Sequence, residues 1–457
     1  MNKRILLAAA AALALPLPAF AQTAADVAAL RDAALKDDLA WEITEGLTTE
    51  IGQRLAATEA EARARAWSVK KLTALGFHNA RIETFKMPVW VRGEEKAEVL
   101  GASAQKLTIA ALGNSGSTGP KGVEGEIVYF PTLADLQAAP DGSLKGKIAF
   151  VSHGMTATMD GSQYGAFGGA RRTGPSLAAA KGASAILIRS IGTDYHRNPH
   201  TGGTGWAKDQ KPIAAAALSV PDAEQLERLL KRSPVRMKLL ITPEFKGEGE
   251  SGNVLAEVPG SDPAAGMVLV ACHLDSWDLG TGAIDDASGC GIVTAAAKRI
   301  MDAGQPRRTI RILWAGAEEP GVFGGAAYFE AHKHEYHAVA AESDTGADRI
   351  WKLQMTLPDS AKPVADRLAA ALAPLGIARG RDPANGGADV GAVIRAGSGG
   401  IDLAQSALRY FDLHHTPDDT LDKVDPVQLR QNVAAWTATL AIVANAAEEI
   451  GPVKKAN

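Results

Sequence analysis

From about residue 239 onward, apolar runs just long enough for one strand alternate with stretches of helical periodicity, and this alternation constrains the fold more than any other feature. Met267 to Cys272 is almost continuously apolar, as in a parallel strand covered on both faces. Ile292 to Ile300 then reads as a helix, Thr309 to Trp314 as a strand, Gly324 to His332 as a helix and His337 to Ala341 as a strand. Asp425 as N-cap and Pro426 at the first helical position open a last helix, whose apolar residues fall at 429, 433, 436, 440 and 443. Such a chain folds as α/β, with a mixed, mainly parallel sheet sandwiched by helices.

Two further regions precede this part. Residues from about 23 to 75 have the periodicity of two or three helices ending at Gly76, and Ala80 to Phe85 alternates like a half-buried edge strand. From 104 to 238 short strands such as Glu126–Phe130, Lys147–Val151 and Ala183–Ile188 sit between glycine- and proline-rich turns, with helices over 174–181 and 222–231. This is the texture of a smaller α/β module without clustered acids or histidines. Its Gly165-x-x-Gly168-Gly169 segment lacks the Gly-Lys-Ser/Thr ending and the strand–helix frame of a phosphate loop.

Composition narrows the function classes. The 457 residues carry 48 Lys and Arg against 52 Asp and Glu, a formal charge of −4, which argues against a nucleic-acid binder held by a basic field. With 46% hydrophobic and 22% charged residues the chain can bury a sizeable core. Lys3 and Arg4, the apolar run Ile5 to Leu15 and the small-x-small Ala19-Phe20-Ala21 read as a signal peptide over 1–21, so the expected product starts at Gln22 and is periplasmic or secreted. That run is too short to span a bilayer, and no other segment is a candidate. Cys272 and Cys290 read as small buried hydrophobes, and a disulfide between them stays open in an oxidising compartment.

In α/β sheets ligands bind beyond the carboxyl ends of the strands, and here those ends are loaded with donors. His273 and Asp275 follow the first strand, and Asp285 and Asp286 stand in the next loop. Glu318 and Glu319 follow the second strand, Asp344 the third, and His414 and His415 lie near the C-terminus. A mixed set of imidazole nitrogens and carboxylate oxygens suits zinc or a similar metal better than calcium. Five candidate ligands, with one carboxylate bridging, imply two ions, the clamp used by many hydrolases.

Taken in order, His273-x-Asp275-Ser276, Asp285-Asp286-x-Ser288-Gly289, Ala317-Glu318-Glu319-x-Gly321, Ser343-Asp344-x-Gly346 and His414-His415-Thr416-x-x-Asp419-Thr420 resemble the motifs of the co-catalytic dizinc exopeptidases. Within that family they are most similar to its carboxypeptidase Q-like branch, notably at His273 to Asp278 and at the closing histidine pair. The resemblance implies a phosphorylase/hydrolase-like catalytic domain made from residues 22–103 and 239–457, with a protease-associated domain inserted at 104–238. It implies two Zn2+ per chain, with His273 and Asp344 as terminal ligands of one, Glu319 and His415 as those of the other, Asp285 as the bridge and Glu318 as general base. It also implies hydrolysis of dipeptides or short peptides by a metal-bridging hydroxide, in a homodimer.

Elementary chemistry agrees with this division. Adjacent glutamates past a strand end can split their tasks, one coordinating and the other taking a proton from water. Asp275, two residues after His273, is placed to accept the other imidazole N–H and fix the tautomer, and Asp419 is a candidate for the same service to His415. Asp286 reads better as a turn residue or N-cap, and His414 as a packed neighbour. His332, His334 and His337 have the wrong offsets to share a helical face, and His78, His153, His196 and His200, without carboxylate company, read as surface or structural.

One departure matters: Gly387-Ala388-Asp389-Val390 stands where many aminopeptidases of the family have Ser-Asp-His. This favours the carboxypeptidase Q-like branch and makes Asp389 a candidate to touch a substrate terminus. An aminopeptidase acting on longer peptides is the alternative, followed by a non-catalytic binding protein and a glutaminyl cyclase on the same fold.

Overall fold

The computed structural model describes residues 23–453, so the leader expected at 1–21 lies outside the described residues. Among those residues no helix is long and apolar enough to cross a membrane.

The main sheet runs in the order His78–Val91, Glu244–Val258, Thr309–Ala315, Met267–His273, His337–Glu342, Gly399–Gln405, Ile350–Thr356, Ala378–Arg379. From Thr309–Ala315 through Gly399–Gln405 the neighbours are parallel, while Glu244–Val258 and Ile350–Thr356 join this centre antiparallel. The central strands are apolar on both faces because both are covered. Val268, Val270 and Cys272 point into the larger core against helices Ser288–Ala303 and Pro426–Val443, and Leu269 and Ala271 point to the opposite side, against Tyr328 and Val393. The N-terminal helices Ala24–Ala34 and Leu39–Gly46 pack on the larger core, and Glu59–Ala74 follows before Gly76 reverses the chain with φ +88°.

The first strand is longer than its alternation predicts. It continues to Val91 through Pro88, which a sheet edge tolerates because one side needs no N–H donor. The two cysteines are buried as expected and take the alternative left open: Cys272 stands one residue before the end of its strand, Cys290 sits in the first turn of the helix packed on it, and at a Cα separation of 5.1 Å they form a disulfide. In that same turn a Cβ on Gly289 would lie 2.1 Å from the carbonyl oxygen of Ser343. Only glycine lets the helix approach the neighbouring strand end so closely.

The chain between His78–Val91 and Glu244–Val258 builds a second sheet, in the order Gln105–Leu107, Glu95–Val99, Arg236–Ile241, Val123–Phe130, Ile148–Val151, Ala185–Arg189, Ala214–Leu218, Ile109–Ala111. It begins at Glu95, ahead of the expected start at 104, because the alternating Glu95–Val99 pairs with Arg236–Ile241. Trp277, four residues past the end of the Met267–His273 strand, is buried in the core of this second sheet, edge-on to Trp90 at 6.3 Å. The close fit is visible at Gly113, where a Cβ would lie 2.0 Å from the Trp277 ring. One indole thus seats the second unit on the segment that carries the first site residues.

Candidate metal centre

The strand ends converge as the loading of the sequence predicts. His273 is the last residue of its strand, Glu318 and Glu319 follow Thr309–Ala315, and Asp344 follows His337–Glu342. Asp285 comes from the loop entering helix Ser288–Ala303, next to a cis peptide to Asp286. His415 follows the short helix Tyr410–Leu413 in the left-handed region, φ +63°, which a residue with a Cβ adopts at a cost.

Asp285 lies at the middle of the group. Its Oδ1 is 2.9 Å from His273 Nε2, which is itself 3.3 Å from Asp344 Oδ1. Its Oδ2 is 3.2 Å from His415 Nε2, which is 3.0 Å from Glu319 Oε2. The five residues proposed from the motifs therefore come together in two sets sharing one carboxylate. Glu319 Oε1 is buried and accepts no hydrogen bond, and Asp285 Oδ2 has only the long 3.2 Å approach of His415, so this dense acidic pocket is poorly satisfied by the protein itself. Buried, unsatisfied carboxylate oxygens beside imidazole nitrogens fit zinc in donor type and charge.

The electrostatics follow from burial. Burial works to raise the Asp285 carboxyl, but hydrogen bonds from His273 and His415 outweigh it and hold the group well below the usual range. Glu318 and Glu319 are both pushed well above theirs by burial, and the neighbouring carboxylate charges add to the push. His415 is lowered by burial, with the Arg171 guanidinium acting in the same direction against its carboxylate neighbours. A neutral imidazole is the form that binds a metal.

The supporting contacts differ in part from the expected ones. His273 Nδ1 lies 3.0 Å from the backbone carbonyl of Asp275, not on its carboxylate. The Asp275 carboxylate instead accepts the backbone N–H groups of Glu318 at 2.9 Å and Glu319 at 3.3 Å, fixing the turn that presents both glutamates. Asp419 does not reach His415; its carboxylate accepts the N–H groups of Ile284 at 2.6 Å and Asp285 at 3.2 Å. Asp389 is 1% exposed, accepts from Gly325 N at 2.9 Å and faces Glu342, so it is packed behind the site and not open to a substrate terminus. Asp286 accepts from His273 N and Gly289 N, both at 3.1 Å, in the cap-like manner its position suggests.

Among the histidines, His414 stacks on His415 with ring centroids 3.4 Å apart, and its Nε2 lies 3.6 Å from Asp285. His332 pairs with Glu83 and Glu335, and His337 with the Tyr328 hydroxyl, in a polar network around Arg311 away from the ligand sets. His200 does have carboxylate company: its Nε2 is 2.7 Å from Asp194 and its Nδ1 2.9 Å from the His414 carbonyl. Asp194 stands only six positions before His200, whereas the contact to His414 spans 214 positions and joins the two units.

Three residues have no sequence signal at all. Arg54, fully buried, donates to the carbonyls of Leu274 and Thr281 and, at 2.8 Å, Gly282, tying together the loops on either side of the centre. Arg171 and Thr201 come from the second unit, where Arg171 Nη2 donates to the Tyr164 hydroxyl at 2.6 Å and the Thr201 carbonyl lies 3.2 Å from His415 Nδ1. With Tyr164 and Arg171 on one wall and Glu318, Asp344 and Tyr410 on the other, a cleft of about 650 Å³ opens onto the carboxylates. A smaller, apolar cavity of about 480 Å³ between helices Ala24–Ala34 and Pro426–Val443 shares no residue with it.

The family model described as Peptidase family M28 matches residues 253–451. Carboxypeptidase Q of Bos taurus is 33% identical over 407 residues, 88% of this chain and 84% of the relative. A crystal structure of a peptidase M28 precursor from Shewanella amazonensis SB2B superposes with a TM-score of 0.92 at 44% identity, covering 95% of this chain and 99% of that one. An aminopeptidase from Aneurinibacillus sp. strain AM-1, 20% identical with a TM-score of 0.63 over 94% of this chain and 98% of its own, shares the fold. The chain belongs to peptidase family M28, the co-catalytic zinc exopeptidases, and within it is similar to carboxypeptidase Q.

Proposed function

We propose that this zinc-dependent exopeptidase holds two zinc ions per chain and hydrolyses dipeptides and other short unblocked peptides. The observation that carries the proposal is the division of Asp285, one carboxylate oxygen facing His273 and Asp344 and the other facing His415 and Glu319. His273 and Asp344 would hold one ion and Glu319 and His415 the other, with Asp285 shared between the two sets. Zinc bound there supplies Lewis acidity, bringing the pKa of water toward ~7 and polarising the scissile carbonyl.

The protein's own groups do the rest. Glu318 lines the cleft beside Glu319, where its carboxylate is placed to take the proton of the attacking water and return it to the leaving amine. Asp275 holds the backbone of both glutamates, so the base and the ligand keep their relative places. Tyr164 and Arg171 roof the cleft from the second unit, which suits a short peptide better than a long extended one. We read that unit as the protease-associated domain, and the chain as exported after cleavage before Gln22 and homodimeric; N-terminal sequencing and light scattering on the natively produced protein test the last two.

The experiment is to measure metal content and peptide turnover on one preparation of mature protein. About two zinc per chain with hydrolysis of dipeptides, and loss of turnover on blocking either terminus, supports the proposal. Turnover of C-amidated peptides with rejection of N-blocked ones would instead assign an aminopeptidase.

A further inference from the structure

The two histidines of the centre are oriented by different parts of the chain. His273 Nδ1 lies 3.0 Å from the carbonyl of Asp275, in its own segment. His415 Nδ1 lies 3.2 Å from the carbonyl of Thr201, 214 positions away and in the second unit. A carbonyl oxygen only accepts, so each ring meets its carbonyl by carrying a proton on Nδ1, which turns Nε2, the nitrogen a metal would use, toward Asp285; Arg171 Nη1 also lies 3.3 Å from His415 Nδ1. The contact is reinforced by the backbone, since Thr201 N donates to the His415 carbonyl at 3.0 Å.

Thr201 is itself fully buried and held on several sides. Its hydroxyl donates to the Ala111 carbonyl at 2.7 Å and accepts from Arg92 Nη2 at 3.1 Å, while Arg171 Nη1 donates to its carbonyl at 3.3 Å. Arg92, directly after the edge strand His78–Val91, also grips both oxygens of Asp278 at 2.8 Å. Asp278 follows Trp277, the indole buried in the second unit. One clamp therefore joins the segment after His273 to the loop that orients His415.

We infer that Thr201 is a positioning residue through which docking of the second unit sets the affinity of one metal position, that of His415 and Glu319, while the position of His273 and Asp344 is built without it. The inference rests on the two-zinc reading. By linkage, an ion at the His415 position favours the docked second unit as much as docking favours the ion. The two positions thus differ in a way that the symmetry of their ligands conceals: one is intrinsic to the catalytic sheet, and the other reports whether the cleft is assembled.

The test is a zinc titration of the metal-free full-length mature protein against a competing chelator. It compares wild type, Thr201→Ala, Thr201→Ser and Arg92→Lys, with Thr201→Ala repeated in His273→Gln and His415→Gln backgrounds. Wild type takes up two ions; Thr201→Ala weakens one by about tenfold or more, and Thr201→Ser, which keeps the hydroxyl, restores it. The loss persists in the His273→Gln background and vanishes in His415→Gln. Should Thr201→Ala fail to fold, Arg92→Lys, read in the same two backgrounds, carries the comparison. Fewer than two ions in wild type overturns the two-zinc reading itself. Two ions in wild type, with the variant weakening both positions alike, neither, or the one left in His415→Gln, overturns this inference alone.

Discussion

Asp285 Oδ1 stands 2.9 Å from His273 Nε2, while its other oxygen stands 3.2 Å from His415 Nε2. One carboxylate serving two imidazoles makes each half of the site depend on it, and the loop around it is fixed accordingly. Asp419 accepts the Asp285 N–H, and Arg54 holds the Gly282 carbonyl a few residues upstream. Replacing Asp285 by alanine is expected to lower zinc affinity at both positions, by more than the roughly 10–100-fold typical of an outer-partner change. His273→Gln is expected to lower it at one. Equilibrium dialysis with zinc analysis separates the two patterns; retention of one full-affinity ion in Asp285→Ala would contradict a bridging role.

Glu319 Oε2 is 3.0 Å from His415 Nε2, as suits its proposed ligand role, while Glu318 lines the cleft beside it. Glu318→Gln preserves shape and removes the proposed base. The variant is expected to keep its zinc and lose roughly 10²–10⁴ in kcat, with KM little changed. Steady-state kinetics beside metal analysis checks this, and a variant with wild-type kcat would assign the proton transfer elsewhere.

The Cys272–Cys290 disulfide links the strand end before His273 to the helix after Asp285, across 18 positions. Closing a loop of that size stabilises a fold by on the order of 3 kcal/mol. Under denaturing conditions without reductant neither cysteine is expected to react with a thiol reagent. Replacing both by alanine is expected to destabilise the metal-free protein by that order in urea unfolding. Two titratable thiols in oxidised, purified protein would refute the pairing.

Glu61 is buried against Ser251, whose hydroxyl donates to it at 3.0 Å, and beside Arg65 at 3.1 Å. Burial is the main cause that pushes its carboxyl up to about 7, with the charge of Asp275 adding and Arg65 opposing. A folded pKa above the unfolded one means that this stability is fully present below about 4.5 and is lost as pH rises through about 7. The contribution amounts to on the order of 3 kcal/mol. Glu61→Gln mimics the protonated form, so it is expected to be more stable than wild type at pH ~8 and equal to it at pH ~4. Urea unfolding at both pH values measures the difference; equal stability of the two proteins at pH ~8 would show that Glu61 ionises without penalty.

Much of this was legible in the chain because local rules and the final structure agree. Met267 to Cys272 reads as a covered parallel strand and is one, and the donors that follow each strand meet because parallel strands put their carboxyl ends on one side of a sheet. Ala214–Leu218 shows the opposite case: four alanines and a leucine carry no strand preference, and the segment is a strand because Ala185–Arg189 and Ile109–Ala111 pair with its two edges.

By itself, then, the sequence determined the α/β class, the order of the metal-facing motifs and which side chains can donate to zinc, since periodicity and donor chemistry are properties of residues and their near neighbours. Only the tertiary structure decided that Asp275 holds the glutamate backbone, that Asp419 holds Asp285, that Asp389 is packed behind the site, and that Arg54, Arg171 and Thr201 belong to it at all. Each of these depends on contacts between segments tens to hundreds of positions apart, where hydrogen-bond geometry selects among many chemically equivalent partners.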